Sequence, residues 1–353
     1  MKALLLERGK LWVDTLPEPE PGPGEILVRT LACGICGSDL HAHQHTEQFI
    51  EASLKSKGAF QLTTYNPVVL GHEFCAEILD SNPGTGRDLK AGTHVCSIPV
   101  LWRNRSTVPI GFSEEVPGGF AEFMVLSERL VLPVPDHLAP RHAAITEPSA
   151  VAKHAVSKSR AANADCVLVL GAGPVGILVL VELKRRGLGP IVVSEPNADR
   201  RGLAERVGAD VVIDPNRSRW WRDPAIGKAR QLVVFECVGI PNLLSGVYEH
   251  APRHSQIVVV GVCLQPDTVS HLPAINKELN VQYVLGYTLE EYAQSLTDIA
   301  EGSIDIEPVV TDVIDLDGVP AAFTNLANAS AQCKVIVDPS LERGERGQGS
   351  QTC

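Results

Sequence analysis

No run of Lys and Arg in this sequence is long enough to follow a phosphate backbone, and 42 acidic residues outweigh 31 basic ones for a formal charge of −11. A nucleic-acid partner is therefore not expected. No stretch of about 18 apolar residues exists to span a membrane. The opening "MKALLLERGKLW" carries too short an apolar run, broken by Glu7 and Arg8, to read as a secretion signal. The nine cysteines are odd in number and follow no framework spacing, which suits a reducing cytoplasm and mostly buried thiols rather than a disulfide scaffold. No internal repeat is present. What remains is a chain of 353 residues, 44% hydrophobic and 21% charged, ordinary for a globular protein and long for a single core. Two domains are the expectation.

The texture changes along the chain. Residues 1–149 read as an irregular, strand-rich domain, with short apolar runs such as "GEILVRTLA" and "FAEFMVLSERLVLPVP" set apart by Pro/Gly punctuation. Residues 150–285 alternate strand and helix patterns. "DCVLVLGAGPVGILVLVELKRRGLGPIVVSEP" reads as strand, glycine turn, helix and strand, and "ADVVID", "QLVVFECVG" and "SQIVVVGVC" continue the series. Such a series predicts a parallel, doubly wound α/β sheet. Residues 286–353 hold one helix ending at Gly302, a short return strand in "AQCKVIVDP", and a tail without apolar periodicity, expected to be mobile.

Gly171, Gly173 and Gly176 form G-x-G-x-x-G between a strand and a helix. In that context the glycines allow a tight turn and let backbone approach a pyrophosphate at the helix N-terminus. Glu195 ends the next strand, where a carboxylate would bind both ribose hydroxyls and repel a 2′-phosphate, so NAD is favoured over NADP. Arg200 and Arg201 leave NADP as the alternative. Pro174, Val175, Val238, Val260 and Val262 complete the candidate cofactor contacts.

Three stretches hold candidate metal ligands: "CGICGSDLHAH" with Cys33, Cys36, Ser38, Asp39 and His41; "VVLGHEF" with His72 and Glu73; and "ITEPSAVAKHAV" with Glu147. A thiolate, an imidazole and a carboxylate would suit a catalytic zinc with one open position. Spacing alone does not select among them, and the C-x-x-C could equally be half a knuckle or a redox pair.

"GEILVRTLACGICGSDLH", "VVLGHEF", "GGFAEFMVL", "GAGPVG" and "AEGSID" occur in this order over nearly the whole chain. Together they resemble the zinc-dependent medium-chain alcohol/polyol dehydrogenases, especially the sorbitol and butanediol dehydrogenase branch. The resemblance implies a GroES-like β-rich catalytic domain, split in sequence, around a Rossmann coenzyme domain. It implies Cys36 and His72 as zinc ligands, Glu73 as a direct or alternate ligand, and Glu147 as a contact made directly or through water. Cys33 is then a buried strand thiol, and Asp39 orients His72 through its other ring nitrogen. The implied reaction is reversible hydride transfer between a secondary alcohol or diol and NAD, with zinc polarising the oxygen. Ser38 would take the alcohol proton and His41, with an ordinary pKa of about 6.5, would pass it to solvent. A homodimer or homotetramer is expected.

Two features depart from the family pattern. Many members carry a structural zinc in a lobe with four cysteines, but residues 91–119 hold only Cys96, so one catalytic zinc and no structural zinc is the expectation. The segment between His41 and His72 is longer than the family norm by roughly ten residues and carries Phe49, Ile50, Phe60 and Tyr65, either walling a substrate pocket or making a surface excursion. Two alternatives to the zinc enzyme are a zinc-free NADPH quinone or enone reductase and a non-catalytic nucleotide-binding redox sensor on the same fold. Cys36, His72 and Glu195 weigh against the first, and the intact ligands and relay residues against the second.

Overall fold

In a computed structural model, residues 1–56, 62, 65–81, 87, 89–103, 105–328 and 331–342 are described. Phe60 and the tail beyond residue 342 lie outside the described residues. The chain forms two compact units, one of residues 1–147, 296–301 and 310–353, the other of residues 148–295 and 302–309.

In the first unit the ten-residue strand Glu25–Gly34 is the organising element. It pairs antiparallel with Glu73–Ser81, with Phe123–Ser127 and with the late strand Lys334–Val337 in a seven-stranded sheet. Ile26, Val28 and Cys33 on it are fully buried. Register shifts near Val28 and Ala32 bend the strand, as β-bulges do. Its C-terminal end leads through Ile35 and Cys36 into the helix Gly37–Gln44. A second helix, Thr46–Ser56, follows almost at once. The "AQCKVIVDP" return is therefore a strand of the first unit's sheet, its Val337 opposite Cys33.

Residues 91–119 contribute a strand and a hairpin. Cys96 lies on the strand His94–Ser97, buried and opposite Cys75 across the ladder. The hairpin Val100–Arg103/Ser106–Pro109 is tied down by Arg103, which donates to both oxygens of Glu25 at 2.6 and 2.8 Å.

The second unit is a six-stranded, all-parallel sheet in the order Val211–Ile213, Ile191–Ser194, Cys166–Leu170, Leu232–Glu236, Gln256–Val259, Asn280–Tyr283. That order reverses direction beside Cys166–Leu170, the arrangement that opens a ligand crevice at the carboxyl ends of the strands. The expected doubly wound sheet is what the chain builds. Leu168, Val192, Val234 and Ile257 are fully buried in one core cluster, which explains why these strands read as unbroken apolar runs.

Candidate metal and cofactor sites

Cys36 stands at the N-terminus of the helix Gly37–Gln44 as its N-cap residue. Its backbone N–H donates to Asp39 Oδ2 at 2.9 Å, so Asp39 closes the first turn onto the ligand residue. His72 and Glu73 arrive at the start of the strand Glu73–Ser81. They follow Gly71, whose φ of +101° and lack of a side chain admit Phe120 backbone at a distance no Cβ would tolerate. The outcome is one cluster: ligand atoms of Cys36, His72 and Glu73 all lie within 4.8 Å of one another. Glu147, in the first turn of the helix Thr146–Ser157, is buried but is not brought within that radius. Cys33 is fully buried in its strand and outside the group; burial, then Asp39 and Glu73, push its thiol well above the usual range.

The electrostatics of the cluster suit a cation. His72 Nδ1 lies 3.4 Å from Asp39 Oδ1, and neither atom has a hydrogen-bond partner. Ser38 Oγ lies 3.4 Å from His72 Nε2. Burial works against an imidazolium, yet the Asp39 carboxylate and the Cys36 sulfur hold His72 well above its ordinary pKa. The field that draws a proton there would draw Zn²⁺. A thiolate, an imidazole and a carboxylate form a zinc donor set with room for a fourth ligand.

The sequence reading missed the partner of Glu73. Lys334, 1% exposed, donates to both Glu73 oxygens at 2.8 and 2.6 Å and to the Ile35 carbonyl at 2.9 Å. Burial disfavours its ammonium, but Glu73 and then Cys36 raise the pKa above the ordinary lysine value. Lys334 opens the apolar run "KVIV", and no local signal ties it to position 73. His41 sits one turn after Ser38 on the same helix, partly buried. Burial and then the neighbouring His45 lower its pKa below the ordinary value.

In the second unit the glycines have three different jobs. Gly171 has φ +90°, the left-handed region. A Cβ on Gly176 would lie 2.0 Å from the Gly171 carbonyl oxygen, so the helix Pro174–Arg185 could not close on the turn. Gly173 has φ −70° and nothing within 4 Å of a would-be Cβ. It leaves open the space a pyrophosphate would occupy at the helix N-terminus, beside Pro174 and Val175. Glu195 is buried; its Oε2 accepts from Ala172 N–H at 2.7 Å and its Oε1 from Asn197 N–H at 2.8 Å. Arg201 is committed to the Glu195 and Pro196 carbonyls, at 3.0 and 2.7 Å. Arg200 lies in the first turn of the helix Ala198–Val207, its N–H capped by Asn197.

Val238 and Val262 are each 39% exposed at the carboxyl ends of their strands, with Val260 partly buried beside them. A second residue the sequence reading missed holds these loops together. Glu236 Oε1 accepts from Val238 and Gly239 N–H at 2.7 and 2.8 Å, and its burial raises its pKa. The acid after the run "LVVF" was its only signal.

Comparison with known proteins decides the family. Residues 22–136 match the alcohol dehydrogenase GroES-like domain, and residues 174–301 match the zinc-binding dehydrogenase domain. The chain belongs to the zinc-dependent medium-chain dehydrogenases. The GroES-like match falls within the first unit, and the second unit holds the Rossmann-like parallel sheet that the motifs implied. Among its relatives, (R,R)-butanediol dehydrogenase of Neisseria gonorrhoeae is 29% identical over 96% of this chain and 99% of that one. L-Threonine 3-dehydrogenase of Rhizobium rhizogenes is 27% identical over 96% and 98%. The crystal structure of 2R,3R-butanediol dehydrogenase from Bacillus subtilis superposes with a TM-score of 0.81 at 28% identity, covering 96% and 99%. A Sinorhizobium meliloti structure described as a zinc-binding dehydrogenase bound to NADP gives 0.82 at 29%, with the same coverage.

Proposed function

We propose that this dehydrogenase oxidises a secondary alcohol or vicinal diol with NAD, or reduces the matching ketone, using one zinc ion per chain. The observation that carries the reading is the thiolate–imidazole–carboxylate cluster of Cys36, His72 and Glu73, with the Ser38 hydroxyl against His72. When bound, zinc supplies Lewis-acid polarisation of the substrate oxygen and NAD supplies the hydride acceptor. Cys36 and His72 would hold the ion, with Glu73, which also pairs with Lys334, as a direct or alternate ligand and Glu147 as a contact made directly or through water. Ser38 accepts the hydroxyl proton and His41, one helical turn on, carries it to solvent. A small secondary alcohol or diol is favoured by the butanediol dehydrogenases among the relatives.

Gly173 and the helix start at Pro174 hold the pyrophosphate, and Val238, Val260 and Val262 form the apolar face for the rest of the cofactor. NAD is favoured because the buried Glu195 stands where a 2′-phosphate would have to approach, while Arg201 is engaged with backbone. Arg200 keeps NADP as the second reading, and the NADP-bound Sinorhizobium meliloti structure favours testing it. One zinc rather than two follows from the single cysteine, Cys96, of residues 91–119.

The expected homodimer or homotetramer is supported by the open edge of the Rossmann sheet. The edge strand Asn280–Tyr283 and its surroundings expose Tyr283, Leu272, Ile275 and Leu285 by 57–68%. An isologous contact with a second copy would cover both the unpaired ladder and the apolar residues. A monomer mass in solution would overturn this. A reducing cytoplasm is supported by the eight free cysteines among the described residues, and recovery in another compartment on fractionation would refute it.

Metal analysis combined with cofactor reduction over a panel of alcohols tests the whole reading. About one zinc per chain and faster turnover with NAD than NADP are expected. Zinc-free protein that still oxidises alcohols would refute the metal assignment. In Glu195→Ala, NAD should weaken by about tenfold relative to NADP; an unmutated enzyme that prefers NADP would make Arg200 the determinant.

A further inference from the structure

The segment between His41 and His72 leads back to the metal cluster. Its helix Thr46–Ser56 buries Phe49 and Ile50 and leaves Leu54 exposed by 57%. Phe49 stacks on Phe112, with ring centroids 5.7 Å apart and planes 13° from parallel. Phe112 in turn lies against the imidazole of His72, at 5.1 Å and a tilt of 42°. Phe49 and Phe112 are each 3% exposed, so neither is a surface ring that happens to lie nearby.

The contact is set by backbone as well as by rings. Gly111, at φ +85°, presses on Gly71, with a would-be Cβ only 2.9 Å from the Gly71 oxygen. Further on, Gly118 and Phe120 donate to the Val69 and Leu70 carbonyls, and Gly119 donates to that of Gly71 at 2.8 Å. The segment carrying Phe112 is thus laced to the strand entry carrying His72. The helix carrying Phe49 is equally tied to the helix carrying Asp39: Thr46 Oγ1 donates to the Ala42 carbonyl at 2.6 Å, and Phe49 N–H to that of His45 at 2.8 Å.

We propose that Phe112, backed by Phe49 of the helix Thr46–Ser56, is a positioning residue that fixes the plane of the His72 ring and hence the direction of its metal-binding lone pair. Asp39 Oδ1 lies 3.4 Å from the ring's Nδ1 edge, and Phe112 packs against the ring at a tilt of 42°. Packing by Phe112 restricts rotation of the imidazole about its Cβ–Cγ bond. This inference rests on the reading of Cys36, His72 and Glu73 as zinc ligands. It gives Phe49 a role beside the metal cluster, through its stack on Phe112. Tyr65, 47% exposed, instead lines an open cavity of about 440 Å³ with Arg8, Gly9, His43, Thr46 and Glu47.

The test replaces zinc by cobalt(II) and reads visible absorption, together with the rate of metal loss to a chelator. Orienting partners of metal-bound histidines are typically worth about 10–100-fold in metal affinity. Phe112→Ala should therefore shift the cobalt spectrum and speed metal loss by about tenfold or more, and Phe49→Ala should do the same by a few-fold. The double variant should fall short of the sum of the two single effects, because Phe49 acts on His72 through Phe112. Phe112→Leu and Phe49→Leu fill the space without a flat face and serve if an alanine variant does not fold; smaller shifts in the same direction are expected. Folded variants that lose thermal stability yet keep the spectrum and metal-loss rate of the unmutated protein overturn the proposal, as do strictly additive effects. Failure of the unmutated protein to take up cobalt at all would instead sink the zinc reading.

Discussion

Around Gly171 the site is made of backbone: a left-handed turn, a helix that closes only on glycine, and an open space beside Gly173. Around Cys36 the site is made of charge, with a thiol, an imidazole, the two carboxylates of Glu73 and Asp39, and one buried ammonium. The first kind of site is built from residues adjacent in sequence and tolerates loss of its ligand. In the second, groups from distant positions must balance one another, and removing one leaves another buried and unpaired. The contrast teaches that the two sites should fail differently when mutated.

The largest effect is expected at the metal ligands. Cys36→Ala or His72→Ala should remove the metal and lower turnover by at least about a thousandfold, the scale of losing a Lewis acid worth several kcal/mol. NADH binding, followed by fluorescence, should persist because the glycine turn belongs to the other unit. Loss of NADH binding in a folded Cys36→Ala protein would break the separation between the two sites.

Next comes the buried pair. Lys334→Ala leaves the Glu73 carboxylate without its partner at 0% exposure, a change that typically costs about 3–5 kcal/mol. Thermal or denaturant unfolding should show it, and adding Glu73→Gln should recover part of the loss. A Lys334→Ala protein as stable as the unmutated one would mean that charge balance does not hold this site together.

A smaller and differently shaped effect is expected at Gly173. Its backbone angle suits any residue and its side-chain space is empty, so Gly173→Ala should keep its melting temperature. Cofactor affinity should fall by about tenfold or more, since each 1.4 kcal/mol of crowding costs a factor of ten. Unchanged NADH affinity would show that the pyrophosphate does not lie there.

The smallest effect concerns His41. Burial and His45 lower its pKa, so it stays neutral and able to accept a proton at a lower pH than an exposed histidine would. His41→Gln should therefore lose activity, by about tenfold around pH 6, and the loss should shrink as pH rises and hydroxide or buffer takes over. Added amine bases should partly restore it, whereas Ser38→Ala should stay impaired at every pH. Wild-type turnover of His41→Gln at pH 6 would make His41 a bystander. The same shift has a stability consequence. A neutral, partly buried His41 favours folding at pH above its unfolded value, and that contribution is lost as pH falls through the lowered folded value.

The sequence by itself determined the parts whose physics is local. Unbroken apolar runs made the parallel strands legible, because strands buried on both faces have no polar period. The glycine spacing marked the cofactor turn, because only glycine meets its φ and packing demands. Ordered motifs marked Cys36, His72 and Glu73 through family resemblance, although spacing alone had left the C-x-x-C open. Tertiary structure alone decided which charges share a burial site. Lys334 reaches Glu73 because the strand Lys334–Val337 pairs with Glu25–Gly34, a register that no local pattern encodes. Phe112 likewise meets His72, and Phe49 meets Phe112, where Gly111 allows two backbones to touch. Propensity and periodicity act over a few residues, whereas a buried charge or ring finds its partner through whatever the folded chain places beside it.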